Sequence, residues 1–196
     1  MTSQKWLLAS NNDGKRKEFA ALLEPIGVSL ISQGELAIPE APEPYLTFLE
    51  NALAKARHAA RLSGLPSLAD DSGLCVDALG GAPGVHSARY AGEPKSDTRN
   101  NALLLERMTG IADRCAAFVC TLVLVRHAED PDPIVAQGRW LGSIVQQPSG
   151  SGGFGYDPLF WINELSCTSA DLSSQQKNSL SHRAQAMRRL LELCKS

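Results

Sequence analysis

Short apolar runs alternate along this chain with amphipathic stretches, and the alternation predicts strands and helices in turn. A buried strand is predicted over residues 5–9, because the four residues after Lys5 are apolar. A helix is predicted to follow as far as about Leu23, because Phe19, Leu22 and Leu23 recur at helical spacing. Residues 28–31 then predict a second strand. This strand–helix–strand order is typical of an α/β fold.

The clearest local signal opens the second helix. Thr47 and Glu50 have the spacing of a capping box, in which each side chain satisfies a free backbone amide of the first turn. The helix is predicted to run to about Leu62 and to end at Ser63 and Gly64, since glycine accepts the left-handed conformation of a helix end.

The second half of the chain continues the pattern. Ser96 or Asp97 is predicted to cap a third helix, and two long apolar runs with a short turn between them predict neighbouring antiparallel strands. The predicted elements are a helix over 98–108, strands over 116–125, 134–145 and 159–162, and a helix over 181–194. Together with the first half, they predict an α/β fold with a mixed sheet flanked by helices.

Two adjacent carboxylates, Asp70 and Asp71, follow an apolar run at 65–69. Neighbouring strand residues point to opposite faces, so both acids reach one site only if the strand ends there. Ser72 and Gly73 predict such a turn. Two interpretations remain open from these residues, namely a solvated turn and a site for Mg²⁺ or Mn²⁺, which prefer oxygen ligands.

Composition narrows the class of protein. The 196 residues and the 43% apolar content fit a single globular domain of ordinary core size. A formal net charge of −2 argues against a nonspecific nucleic-acid binder. The sequence has neither an apolar run of about 20 residues nor a signal-peptide core, so neither a membrane partner nor export is predicted. Five scattered cysteines without a C-x-x-C pair fit reduced thiols in a cytoplasmic protein.

Two further stretches carry candidate chemistry. The turn over 10–15 stands between the first strand and the first helix, where free amides and Lys15 suit a phosphate. A capping asparagine beside a solvated lysine is the alternative, and these residues alone favour it. The glycine-rich stretch 151–158 holds Phe154, an aromatic that can stack on a base. A hairpin loop whose aromatics pack on the core is its alternative. Polar residues at 175–177 and 181–183 add cations and a histidine near a helix start.

Taken together, these motifs resemble those of the inosine/xanthosine triphosphate pyrophosphatases of bacterial type, which act on non-canonical purine nucleotides. The similarity spans nearly the whole chain. The matching motifs are Ser10-x-Asn12-x-x-Lys15-x-x-Glu18, Thr47-Phe48-x-Glu50-Asn51-Ala52, Ala69-Asp70-Asp71-Ser72-Gly73-Leu74, Gly80-Gly81-Ala82-Pro83-Gly84, Gly152-Gly153-Phe154-Gly155-Tyr156-Asp157-Pro158 and Ser181-His182-Arg183.

The resemblance implies Mg²⁺-dependent hydrolysis of ITP, dITP and XTP to the monophosphate and pyrophosphate, with Mn²⁺ as the alternative ion. It also implies a cytoplasmic homodimer and one domain over 1–196, elongated around a mixed sheet. In such a domain two lobes enclose a cleft for the substrate.

The same resemblance implies roles for single residues. Asp71 is the implied catalytic acid or base, and Glu43 and Asp71 are the implied metal ligands. Asp70, Lys55 and Glu18 are implied supporting residues. The implied triphosphate contacts are Ser10, Asn11, Asn12, Asp13, Gly14 and Lys15. The other implied substrate contacts are Ser72, Phe154, Gly155, Tyr156, Asp157, Lys177, His182 and Arg183.

The chain departs from the family pattern at two places. Pro44 and Tyr45 follow Glu43 where the family commonly has smaller residues, which leaves Glu40 as an alternative ligand. Gln176 precedes Lys177 where the family often has an acid. Two other functions also remain open: a pyrophosphatase for modified pyrimidine or methylated guanine nucleotides, and an inert nucleotide sensor.

Overall fold

The computed structural model describes residues 4–195. The side chains of Asp13 and Glu18, which the sequence places at the phosphate turn and among the supporting residues, lie outside this description.

Seven strands and five α-helices make up the regular structure of residues 4–195, with short 3₁₀ turns between them. The strands are β1 (Gln4–Leu8), β2 (Val28–Ser32), β3 (Ser67–Val76), β4 (Cys115–Val125), β5 (Ile134–Ile144), β6 (Phe160–Ile162) and β7 (Cys167–Thr168). The helices are α1 (Asp13–Leu23), α2 (Phe48–Ser63), α3 (Asp97–Arg107), α4 (Ser174–Leu180) and α5 (His182–Leu193).

All seven strands belong to one sheet, in the order β2-β1-β3-β4-β5-β6-β7. Strand β1 runs parallel to both β2 and β3, whereas β6 runs antiparallel to both β5 and β7. The predicted mixed sheet with flanking helices is therefore confirmed. The helix caps are also confirmed, since the Thr47 and Ser96 hydroxyls accept backbone amides and Gly64 ends α2 in the left-handed conformation. The second half of the predicted capping box differs, because the Glu50 carboxylate accepts the Thr47 hydroxyl at 2.6 Å.

The chain divides into two compact units. Of the described residues, 4–71, 120–137 and 186–195 belong to unit 1, and 72–119 and 138–185 belong to unit 2. In unit 1, the side chains of alternate strand residues belong to two separate apolar clusters. Trp6, Leu8 and Leu68 pack with residues of α1 and α5, and Leu7 and Ala69 pack with the alanines of α2. The pleat of the strands thus places α1 and α5 on one face and α2 on the other.

Unit 2 has its own apolar core, formed by β3, β4 and β5 residues with α3 and the 156–162 segment. No helix within residues 4–195 is both long and apolar enough to cross a membrane. All five cysteines are free thiols, as the sequence predicts.

The predicted turn at Ser72 and Gly73 is wrong, because β3 continues without interruption from Ser67 to Val76. Leu74 and Val76, beyond the acids, are fully buried in the core of unit 2, and this burial stabilises the extended chain. The acids therefore lie inside a strand rather than at its end. Helix α4 and strand β7 are two further elements that the apolar pattern did not predict.

Candidate functional site

Asp70 and Asp71 point to opposite faces of β3 and therefore have different partners. Leu68, two residues before Asp70, faces α1, and Ala69, two residues before Asp71, faces α2. Accordingly, the Asp70 carboxylate meets Lys15 of α1, with 2.7 Å between Nζ and Oδ2. The Asp71 carboxylate meets side chains of α2. The continuous strand thus separates the two acids, contrary to the expected turn.

Asp71 is buried, with 8% of its surface exposed, among side chains of α2. Asn51 donates from Nδ2 to Asp71 Oδ2 at 3.1 Å, and the Lys55 ammonium lies 3.8 Å from Asp71 Oδ1. The same ammonium binds Glu43 Oε1 at 2.6 Å. Asn51 and Lys55 are one helical turn apart, so they project from the same face of α2. We call Lys15, Glu43, Asn51, Lys55, Asp70 and Asp71 the acidic cluster.

Burial raises the pKa of Asp71 above the ordinary value of an aspartate, while the charge of Lys55 and the Asn51 hydrogen bond oppose this shift. Burial lowers the pKa of Lys55, but the charges of Asp70, Asp71 and Glu43 outweigh this effect, so the net pKa is raised. Lys55 therefore stays charged at neutral pH, and the raised pKa means that Asp71 binds a proton more tightly than an ordinary aspartate.

Asn51 also holds the loop that carries Glu43. Its Oδ1 accepts the Tyr45 backbone amide at 3.1 Å, and its Nδ2 donates to the Tyr45 carbonyl at 3.3 Å. This side chain is 1% exposed, so its hydrogen bonds form away from water. One residue thus connects Asp71 to the Pro44–Tyr45 segment, at which the chain departs from the family pattern.

The turn over 10–15 has the geometry of a capped helix start. Asn12 Oδ1 accepts the Lys15 amide at 3.0 Å, and the Ser10 hydroxyl accepts the Asn12 amide at 3.2 Å. Asn11 Nδ2 donates to Glu40 Oε1 at 3.0 Å, so Glu40 engages this turn whereas Glu43 joins Asp71. Gly14 is exposed at the first turn of α1.

The donor set of the acidic cluster suits a hard cation. Among the side chains described within residues 4–195, no three histidine, cysteine, aspartate or glutamate residues form a metal-binding group by themselves. Glu43 and Asp71 nevertheless share one ammonium, so their oxygens face a common positive charge. Mg²⁺ typically takes one or two carboxylates from a protein and completes its shell with water and phosphate oxygens. These two residues therefore fit such an ion.

Unit 2 holds the aromatic loop, which we define as residues 151–158. The Phe154 side chain is 47% exposed, and two cations lie against its ring. Lys177 Nζ is 4.7 Å and Arg183 Cζ is 5.2 Å from the ring centroid. Both distances allow cation–π attraction, which fixes the ring. An exposed aromatic with cations beside it can bind a flat, anionic ligand such as a nucleotide.

Asp157 organises this loop from within. It is 2% exposed, and its Oδ2 accepts the Phe154 amide at 2.8 Å and binds the Lys177 ammonium. Its Oδ1 accepts the Ser169 hydroxyl at 2.7 Å. A side chain at Gly153 would collide with the Asp157 carboxylate, and its φ of +75° also favours glycine. Asp157 therefore positions Phe154 and Lys177.

Tyr156 and His182 occupy buried positions. Tyr156 is 4% exposed, lies in the core of unit 2 and donates its hydroxyl to the Ser87 carbonyl at 2.8 Å. Burial raises the pKa of its phenol, so the proton stays in place to donate. His182 stacks on Phe118 with ring centroids 4.9 Å apart. The structure thus gives Tyr156 a core position, as in the hairpin-loop alternative.

Two further predicted substrate contacts are partly accessible. Gly155 is half-buried in the loop, and Ser72 is half-buried in β3.

Sequence reasoning missed Asn51 and Ser169 as site residues. Asn51 and Lys55 are four residues apart in the predicted second helix, so their shared helix face could have indicated Asn51. Ser169 precedes the unpredicted helix α4 and has no such pattern. Gln176 also has a structural role, since its Oε1 accepts the Ser173 amide at 3.0 Å and caps α4.

Comparison with known proteins gives consistent matches across the chain. Residues 6–193 match the model of the Ham1 family. The dITP/XTP pyrophosphatase of Aromatoleum aromaticum is 63% identical over 185 residues, which are 94% of this chain and 93% of that protein. The dITP/XTP pyrophosphatase of Ralstonia nicotianae is 61% identical over 189 residues, 95% of this chain and 94% of that protein.

Solved structures agree with these matches. A HAM1 protein from Coxiella burnetii has a TM-score of 0.94 at 42% identity, covering 98% of this chain and 100% of that one. The nucleoside-triphosphatase / dITP/XTP pyrophosphatase of Mycobacterium abscessus has a TM-score of 0.79 at 44% identity. The match covers 96% of this chain and 99% of that one.

Proposed function

The chain belongs to the Ham1 family, and from this we propose that it is a nucleoside-triphosphate pyrophosphatase. Its proposed substrates are the non-canonical purine nucleotides ITP, dITP and XTP, which it hydrolyses to the monophosphate and pyrophosphate. The names of its relatives support this substrate class. The enzyme would remove these nucleotides from the cellular pool.

The observation that carries the proposal is the environment of Asp71. A buried carboxylate with a raised pKa, oriented by Asn51 and faced by Lys55, has the properties of a general base. We propose that Asp71 accepts a proton from the water that attacks the α-phosphorus. The bond between the α-phosphorus and the bridging oxygen breaks, and pyrophosphate leaves.

Cationic side chains stabilise the charge that develops in this step. Lys15 and Lys55 of unit 1 are proposed to face phosphate oxygens. Lys15 lies in the first turn of α1, where a helix start favours anions, and Lys55 lies beside Asp71. In unit 2, Lys177 and Arg183 flank Phe154, and we propose that they hold the nucleotide with that ring. The proposed triphosphate contacts remain those of residues 10–15.

Glu43 and Asp71 are proposed to hold Mg²⁺, for which Mn²⁺ can substitute. When bound, the ion would reduce the negative charge of the phosphates, which otherwise repels the attacking water. We propose Glu43 rather than Glu40 as the second metal ligand, because Glu43 shares the Lys55 ammonium with Asp71.

A substrate panel that measures released pyrophosphate tests the function. Purified protein is given ITP, dITP, XTP, GTP, ATP, dUTP and 7-methyl-GTP, with Mg²⁺, with Mn²⁺ and with EDTA. We expect pyrophosphate from ITP, dITP and XTP in the presence of Mg²⁺ and a loss of activity in EDTA. Measuring pyrophosphate together with phosphate distinguishes cleavage between the α- and β-phosphates from phosphatase action.

The panel also separates the alternatives. Preferred turnover of dUTP or 7-methyl-GTP would replace the proposed substrate class by modified pyrimidines or methylated guanine. Tight ITP binding without release of pyrophosphate would indicate a nucleotide sensor instead of an enzyme.

Asn51→Asp is expected to lower kcat/KM by about 10- to 100-fold, which corresponds to the loss of one buried hydrogen bond. The variant removes the donor that orients Asp71 and adds a second carboxylate beside it. Steady-state kinetics with ITP measure the effect. Asn163→Asp, the same change at an exposed position, is the matched control. Equal activity of the two variants would contradict a role for Asn51.

A homodimer in the cytoplasm is proposed from the family resemblance. Light scattering at several protein concentrations tests the dimer, which should persist as the protein is diluted through the micromolar range.

A further inference from the structure

Two side chains of helix α3 form hydrogen bonds with the backbone amide and carbonyl of Gly155 in the aromatic loop. The Gly155 amide donates to Asp97 Oδ2 at 2.7 Å, and the Gly155 carbonyl accepts from Asn101 Nδ2 at 3.0 Å. Asp97 and Asn101 are four residues apart, so both side chains project from one face of α3. Gly155 directly follows Phe154, so the two hydrogen bonds constrain the backbone that carries the exposed ring.

Helix α3 is itself firmly anchored. Asn100 is 2% exposed, and its side chain binds the Ser87 and Ala88 carbonyls at 3.3 and 3.1 Å and the Ala91 amide at 2.8 Å. The hydroxyl of Tyr156 donates to the same Ser87 carbonyl. The loop is therefore attached to α3 at Gly155 and to the segment that anchors α3 at Tyr156. The bonds of Asn100 and Tyr156 to the Ser87 carbonyl are buried, and buried hydrogen bonds restrict movement of the groups they join.

We propose that Asp97 and Asn101 are positioning residues for nucleotide binding. They touch no substrate. They act by holding Gly155, and thereby Phe154, where the ring can stack on a purine base. This inference rests on the proposed function for its ligand, whereas the hydrogen bonds themselves can be tested without any ligand. Neither residue belongs to the motifs that carry the family resemblance.

Asp97 accepts a hydrogen bond whereas Asn101 donates one, so exchanging acid and amide should affect the two positions differently. Asp97 only accepts, so Asp97→Asn retains an amide oxygen for the Gly155 amide. Asn101 must donate, so Asn101→Asp loses the bond and sets a carboxylate against the Gly155 carbonyl. Both changes keep nearly the same shape. Asp97→Ala and Asn101→Ala remove the bonds completely. Asp113→Ala is the control, since Asp113 accepts the Cys115 amide in the same unit.

The first measurement is hydrogen exchange of the aromatic loop in the protein without nucleotide. Asn101→Asp and both alanine variants should increase exchange in residues 152–156 by about tenfold, since each loses a constraint on that backbone. Asp97→Asn and Asp113→Ala should exchange like the wild type in this segment. Unchanged loop exchange in Asn101→Asp and in both alanine variants would overturn the proposal, whatever the activity of the enzyme.

The second measurement compares two ligands by calorimetry and kinetics. IMP carries a base and inorganic pyrophosphate carries none. We expect Asn101→Asp to weaken IMP binding by about tenfold and to raise KM for ITP similarly, with kcat within about threefold of the wild type, because an interaction common to ground and transition states is lost. Pyrophosphate binding should not change. Equal weakening of both ligands would overturn the positioning role and indicate general damage to the fold.

Wild-type protein that neither binds IMP nor hydrolyses ITP would refute the proposed function. The exchange data would still decide whether Asp97 and Asn101 hold the loop. Increased exchange with unchanged IMP affinity in an active enzyme would overturn the link between the loop and nucleotide binding.

Discussion

Asp71→Asn is expected to lower kcat for ITP hydrolysis by about 10²- to 10⁴-fold, the usual contribution of a positioned general base. An amide of the same shape cannot accept the proton of the attacking water. The Asp71 carboxylate also shares the Lys55 ammonium with Glu43. Steady-state kinetics with a pyrophosphate readout measure the loss, and circular dichroism shows whether the fold survives.

Asp77→Asn provides the matched control for this experiment. Asp77 is an exposed aspartate just beyond β3, so the same change of carboxylate to amide occurs away from the acidic cluster. We expect its activity to equal that of the wild type. Hydrolysis of ITP at the wild-type rate by folded Asp71→Asn protein would refute the catalytic role of Asp71 and the mechanism built on it.

Asp157→Asn is expected to lower the free energy of unfolding by about 3–5 kcal/mol, because it removes one partner of a buried ion pair and leaves the other charge uncompensated. Lys177 is itself buried and binds Asp157 Oδ2 directly. Urea denaturation measures the change. Activity at low urea should also fall, since Asp157 holds the Phe154 amide and orients Lys177 beside the aromatic ring.

A double-mutant cycle shows whether the ion pair causes this loss. Asp157→Asn with Lys177→Met removes both charges, so its loss of stability should be smaller than the sum of the two single losses by about 0.5–3 kcal/mol. Asp171→Asn is a useful comparison, because Asp171 accepts bonds from Thr168 in the same unit without an ion pair in the structure described. Single losses that add within about 0.5 kcal/mol would contradict the proposed coupling of Asp157 and Lys177.

Much of the fold could be predicted from local sequence. The caps at Thr47 and Ser96 and the glycine that ends α2 were read from a few adjacent residues, and each is confirmed. Their physical basis is local, since a hydroxyl satisfies a free amide within the same helical turn. Helix α4 was missed because its seven residues carry almost no apolar stripe and depend on the capping residues Ser173 and Gln176.

The candidate site was predicted less completely, because its contacts join distant parts of the chain. Motif resemblance supplied Glu43, Lys55 and Asp71, and the structure brings these three together. It could not supply Ser169 or the pair on α3. Their partners, Asp157 and Gly155, lie 12 to 58 residues away along the chain.

Asp70 and Asp71 show most clearly what each level of description decides. The sequence by itself determined that two carboxylates follow an apolar run and that a capped helix carries Asn51 and Lys55. Only the tertiary structure decided that β3 continues through them, because the burial of Leu74 and Val76 in unit 2 keeps the chain extended. The pleat then directs Asp70 toward Lys15 on one face and Asp71 toward α2 on the other.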